Sequence, residues 1–204
     1  FIKTQANAGY IEIVEANPFD EKEIRPFFER ADICINLIGI LFEKGKKNSF
    51  NNIHANFPMM LAQLAHQNRI QQFVHVSALG IEKATDSNYA ISKLNGERNA
   101  FKFFNKSLIL RPSIVYSVDD NFSTTFMTLL SRLPVFPLYY KGETKFTPIH
   151  CSDMTDIILH SINKNINSKI IECVGPEIIS FKEILSILLN SINKKRILFP
   201  FPLF

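Results

Sequence analysis

Hydrophobic residues in this chain fall into short unbroken runs that alternate with amphipathic stretches of helical period. Residues 31–40 (Ala-Asp-Ile-Cys-Ile-Asn-Leu-Ile-Gly-Ile) are nearly all apolar. So are residues 72–76, 107–112 and 170–174. Such runs predict strands of a parallel sheet covered on both faces. Tyr10 to Glu15 is short and β-rich and predicts one more strand. Between the runs, Asp20 is placed to cap a helix running to about Arg30, with Glu23 closing a capping box. A longer helix spans Phe50 to Arg69, kinked or restarted at Pro58. Its stripe of Met60, Leu61, Leu64 and Ala65 reads as core packing. Another helix runs from Tyr89 to about Phe104, with Glu97 and Arg98 facing outward.

The order β-α-β-α-β-α-β over residues 10–112 implies an α/β fold with a doubly wound parallel sheet. Right-handed crossovers bring the strand tips to one edge, where ligands of such sheets bind. The tips fall at residues 15–17, 37–39, 77–79 and 112–114 and are small or polar. Beyond residue 116, helices are predicted at Phe122–Leu133, at Asp153 to about Lys164 with Ser152 as cap, and after Ser180. The chain therefore divides into a domain over residues 1–117 and a smaller C-terminal α/β subdomain over residues 118–204 that shares its core. The final apolar stretch, Ile197 to Phe204, reads as core contacts of a longer chain rather than as a membrane-docking segment.

With 204 residues, 46% of them hydrophobic, one globular unit with a sizeable core is expected. The formal charge of +4 is spread along the chain and argues against a nucleic-acid partner. Cys34, Cys151 and Cys173 are odd in number and widely spaced, as in a reducing compartment. Neither they nor the five His show metal-ligand spacing, so no metal site is expected. No apolar run reaches the roughly 18 residues a membrane-crossing helix needs. The chain opens on Phe1, and the order of its elements is that of an N-terminally truncated fragment.

The chemistry concentrates in residues 73–80 (Phe-Val-His-Val-Ser-Ala-Leu-Gly) and 89–93 (Tyr-Ala-Ile-Ser-Lys). A strand delivers Ser77 to its tip, and Tyr89 and Lys93 share one helix face. The spacing of Tyr89 and Lys93 alone is weak and equally suits a solvated helix.

Further motifs follow in order: Ile35 to Gly39, Leu110 to Ser113, Phe146 to His150 with Asp153, Val174 to Pro176, and Leu198 to Leu203. Together these segments resemble the short-chain dehydrogenase/reductase superfamily in its extended or atypical form, like the NAD-dependent epimerase/dehydratases. More closely they resemble the NAD(P)H-binding accessory subunit of respiratory complex I and its bacterial relatives. The resemblance implies a Rossmann-like sheet, here without its first β-α unit and without the glycine-rich turn that cradles a pyrophosphate. It implies Asn17 beside the adenine, and Leu37, Ile38 and Gly39 along the adenosine and pyrophosphate of NAD or NADP. It implies Ser77, Tyr89 and Lys93 as a catalytic triad that also contacts the cofactor, and Pro112, Ser113 and Ile114 facing the nicotinamide. The twelve-residue gap from Ser77 to Tyr89 is shorter than in most sugar-nucleotide enzymes of the family.

Two readings follow from the resemblance. One is an NAD(P)H binder in a membrane-associated respiratory assembly, cytoplasmic or peripheral on the inner (cytoplasmic or matrix) membrane face. The other is an oxidoreductase or epimerase acting on a carbonyl or alcohol, with Tyr89 as general acid/base, its phenol pKa lowered by Lys93. A redox-sensing regulator of the same fold has less support.

Overall fold

A computed structural model describes residue 7 and residues 9–201. Its centre is a four-stranded, all-parallel sheet of β1 (Ile33–Asn36), β2 (Gln72–Val76), β3 (Ser107–Pro112) and β8 (Lys169–Cys173), in the order β1-β2-β3-β8. Parallel pairing sets all four carboxyl ends on one edge: Asn36 lies opposite His75, Val76 opposite Leu110, and Pro112 opposite Cys173. Two helices, α2 (Phe57–Gln67) and α3 (Asn88–Phe103), cover one face. There Leu61, Leu64, Ala65 and Ala100 close over Phe73 and Ile109. Helix α5 (Cys151–Asn163) covers the other face, where Met154 and Ile157 pack with Val74, Leu108 and Leu110. Consecutive strand residues thus serve opposite faces, the period-2 rule of a sheet buried on both sides. This is the doubly wound α/β architecture implied by the sequence.

A third core lies beside the sheet edge. Helix α4 (Asn121–Arg132) and helix α6 (Phe181–Ser191) pack around Leu130, Phe136 and Leu185. Ser180 and Glu183 form a reciprocal capping box at the start of α6, which fixes where that helix begins. Lys194 and Arg196 donate to the carbonyls of Leu130 and Ser131 at the end of α4, so this basic run caps a helix. Strand β10 (Ile197–Pro200) pairs in parallel with β5 (Val135–Leu138), and residues 202–204 lie outside the described residues. Among the described residues, no helix is long and apolar enough to cross a membrane.

Several local expectations are corrected. Tyr10 to Glu15 is not a strand. A strand needs a ladder partner, and among the described residues β1 has none on the side away from β2, so this segment stays exposed. Helix α1 (Glu21–Phe28) is capped by Asp20, but Glu23 accepts from the Asn17 N–H and closes no box with the cap. The cap of α5 is His150, whose ring accepts from the Ser152 N–H. Residues Asn51–Asn56 form a π-helix ahead of α2, with Pro58 in the first turn of α2. Glu97 does not face outward; it is 3% exposed.

Candidate functional site

Ser77 follows β2 directly. Its N–H donates to the Leu110 carbonyl (2.7 Å), which continues the ladder and fixes the tip. The Ser77 hydroxyl is buried and has no hydrogen-bond partner. Leu79 then donates to the Pro112 carbonyl (2.9 Å), so the loop after β2 lies along the end of β3.

Tyr89 sits in the first turn of α3, which Ser87 caps through the Ala90 N–H. Its ring is held edge-on by Phe50 and His54, with centroids at 5.7 and 5.2 Å. Burial raises the Tyr89 phenol pKa above its ordinary value. The expected lowering by Lys93 is therefore corrected: desolvation dominates, and the phenol keeps its proton at neutral pH. One turn on, Lys93 is buried and its Nζ donates to the Val76 carbonyl at 3.3 Å. Burial lowers its pKa to about 8, with nearby Glu97 acting in the opposite direction.

Gly39 belongs to the same constellation. A Cβ there would stand 3.3 Å from Lys93 Nζ and 3.7 Å from His54 Nε2. A side chain at this position would meet the ammonium at closer than ordinary contact, so the glycine leaves the lysine end room. Leu37 and Ile38 are exposed beside it, with the Ile38 N–H on Asn36 Oδ1.

The sheet edge thus gathers Gly39, Ser77 and Lys93 around the Val76 carbonyl. Tyr89 joins Pro112, Ser113 and Ile114 in lining a neighbouring cleft of about 580 Å³. Ser77 and Tyr89 are not hydrogen-bonded to each other. Asn17 lines no part of that cleft; it is exposed in a turn, its Oδ1 accepting from Phe19 N–H.

Reading the sequence missed a buried polar network behind these residues. The Ser92 hydroxyl donates to the Tyr89 carbonyl (2.7 Å), so its oxygen accepts from His54 Nδ1 (2.9 Å). His54 Nε2 then accepts from the Ile40 N–H (3.0 Å). His54 is neutral, its pKa lowered to about 4 by burial and by Lys93. Asn36 Nδ2 donates to His75 Nδ1 (3.0 Å), leaving the His75 proton on Nε2. Burial and Lys93 lower the His75 pKa to about 3. Further along α3, Glu97 takes both nitrogens of the Arg111 fork at 2.9 and 2.8 Å. The signal for Glu97 was available: Tyr89, Lys93 and Glu97 recur every four residues on one helix face. His54, a lone histidine in an apolar helix, gave none. Cys34 and Cys173 are free thiols whose pKa values burial pushes up to about 12 and about 11. No cluster of three metal-ligating side chains occurs among the described residues.

A dinucleotide fits these groups: a buried hydroxyl without a partner, an ammonium at a strand tip, and a glycine that keeps the approach to it open.

No family model matches the chain. Its relatives include the NADH dehydrogenase [ubiquinone] 1 alpha subcomplex subunit 9, mitochondrial, of Arabidopsis thaliana. That protein is 24% identical over 99% of this chain and 51% of its own length. The chain thus spans about half the length of this relative. Among solved structures, a dTDP-4-dehydrorhamnose reductase of Clostridium acetobutylicum superposes with a TM-score of 0.79 at 16% identity, covering 98% of this chain and 78% of its own. The dTDP-4-dehydrorhamnose reductase of Bacillus anthracis in complex with NADP gives a TM-score of 0.74 at 15% identity, covering 91% and 71%. The chain is thus similar along nearly its whole length to subunit 9 of the NADH dehydrogenase alpha subcomplex, and it shares the Rossmann-like α/β fold of these reductases.

Proposed function

We propose that this chain is the nucleotide-holding part of an NAD(P)H-binding protein of the atypical short-chain dehydrogenase/reductase type, serving as an accessory subunit of a respiratory-chain assembly. One observation carries the nucleotide reading: Lys93 Nζ stands at the strand-tip edge behind Gly39, which puts no side chain in front of it. A cation held there suits the ribose hydroxyls of a dinucleotide, and the backbone of Leu37 to Gly39 suits its adenosine side. Pro112, Ser113 and Ile114 would lie along the nicotinamide end. Residues 1–117 would form the nucleotide unit and residues 118–204 the smaller subdomain against it. The plant relative is named as a mitochondrial NADH dehydrogenase subunit, which supports a place in a respiratory assembly; a peripheral position on the cytoplasmic or matrix face of an inner membrane belongs to the same proposal.

The dinucleotide would supply hydride chemistry when bound. The protein's own contribution is position and protons. Tyr89 enters with its proton in place, because burial raises its pKa. A second reading, an active reductase or epimerase, is favoured by the Ser77 hydroxyl. Buried without a partner, it costs stability until an oxygen of a bound molecule meets it.

The test uses the full-length protein. NADPH and NADH are titrated by fluorescence, then carbonyl substrates are scanned with wild type and Tyr89→Phe. Binding without turnover in either protein leaves the binder reading and removes the enzyme. Turnover that disappears in Tyr89→Phe reverses that choice. Absence of any binding rejects both.

A further inference from the structure

The cleft beside Tyr89 is apolar far beyond what a nicotinamide needs. Leu41, Leu79, Val115, Phe146 and Ile178 line its 580 Å³. It shares Ile114 and Phe122 with a second concavity of about 420 Å³, walled by Pro148, Ile179, Ile184 and Leu188. The two share the Ile114 and Phe122 walls, and the second reaches Ile184, Ile187 and Leu188 of α6. Each volume falls in the range of small-molecule sites.

Charge is scarce in both. Among the described residues, Lys145 is the one charged residue lining the first concavity and Glu177 the one lining the second. Lys145 also acts on Glu183, whose carboxyl is held below its ordinary pKa by hydrogen bonds from Ser180 and, to a smaller degree, by this lysine. A nucleoside diphosphate sugar brings two phosphate charges, and proteins answer such groups with bidentate Arg or several cations. One shared lysine does not match that requirement. The polar residues lining the first concavity include Tyr89, Ser113 and Thr147.

Resting on the nucleotide reading above, we infer that the cleft takes an aliphatic compound bearing a single carbonyl or hydroxyl group. The oxygen sits at Tyr89. The hydrocarbon chain passes Ile114 and Phe122 and ends against Ile184 and Leu188. The apolar lining, the walls the two concavities share and the scarcity of cations among the described residues select this class over sugar nucleotides.

The experiment titrates the full-length protein with laurdan, a dodecanoyl ketone on a naphthalene whose emission reports polarity. Wild type is compared with the double variant Ile178→Glu, Ile187→Glu. Both positions line the cleft and are more than half exposed, at 71% and 55%, so the variant folds. Saturable, blue-shifted binding is expected in wild type, weakened at least about tenfold in the variant because two carboxylates now meet the chain. UDP-glucose at millimolar concentration should leave laurdan in place. The inference is overturned by absence of saturable binding, by equal affinity in both proteins, or by displacement with UDP-glucose. A parallel NADPH titration separates the two ideas. NADPH binding without laurdan binding sinks the cleft assignment alone, and laurdan binding without NADPH binding sinks the nucleotide reading alone.

Discussion

The imidazole of His54 and the hydroxyl of Ser92 meet in a buried hydrogen bond of 2.9 Å, one residue away from Lys93. The bond joins three pieces of chain: the π-helix that carries His54, the first turn of α3, and through Ile40 the loop after β1. A π-turn inside a helix is rare and concentrates at functional sites. Here it sets the histidine against Tyr89.

Acid should loosen this network. His54 has a folded pKa of about 4 and His75 of about 3, both below the ordinary 6.5. The unfolded chain therefore binds more protons than the folded one below pH 6.5. Their contribution to stability is fully present above pH 6.5 and falls as pH drops toward 4 and 3. Urea melts of wild type and His54→Asn between pH 7 and pH 4 check this. The variant should lose stability less steeply with falling pH, by up to about one proton. Equal slopes would show that His54 is not held neutral.

Gly96 is where α3 touches the π-helix backbone. A Cβ at Gly96 would lie 1.9 Å from the His54 carbonyl oxygen. Neither helix can yield without moving Lys93 or His54. Gly96→Ala should therefore cost about 3 kcal/mol or more in a denaturant melt, at the upper end of overpacking effects. A loss below about 1 kcal/mol would mean the two helices are not in backbone contact.

The sheet was legible where local signals agree. Residues 72–76 and 107–112 are apolar runs bounded by polar or turn residues, and they are strands. Ser180 announced α6 as its cap, a signal that depends on neighbours in sequence alone. Tyr10 to Glu15 failed because pairing is not local, and its alternation cannot supply a partner. The π-helix failed because its ladder differs from an α-helix by one residue and leaves no compositional trace. At the site, spacing gave the one-turn separation of Tyr89 and Lys93 on α3, and it took the strand delivering Ser77 to single them out. The direction of the Tyr89 shift was not readable, since it depends on Phe50 and His54 closing over the ring, and burial outweighs the nearby ammonium.

Glu97 and Arg111 bind α3 to β3. Two hydrogen bonds join them, and their side chains are only 4% and 12% exposed. Removing Glu97 leaves Arg111 only its longer 3.2 Å pair with the more exposed Glu82. Glu97→Leu should cost about 3 kcal/mol, at the lower end for a broken buried pair, whereas the double change Glu97→Leu, Arg111→Met should recover most of that loss. A double-mutant cycle by chemical denaturation reads the coupling. Additive losses would show that the pair is held apart in solution.

Lys93 links the site to pH from the alkaline side. Its ammonium has a pKa lowered to about 8 by burial. If it grips the ribose hydroxyls as a cation, NADPH affinity is highest below pH 8 and declines as the proton leaves. Tyr89 does not interfere, because its own pKa is raised and its phenol stays neutral through this range. Fluorescence titrations of the full-length protein from pH 6.5 to pH 9.5 should therefore show wild-type affinity falling above pH 8. In Lys93→Met the affinity should be weaker at neutral pH and flat across the same span, since no group remains to lose the charge. An alkaline decline that persists in Lys93→Met would move the titrating group elsewhere and leave the lysine a packing role beneath Gly39.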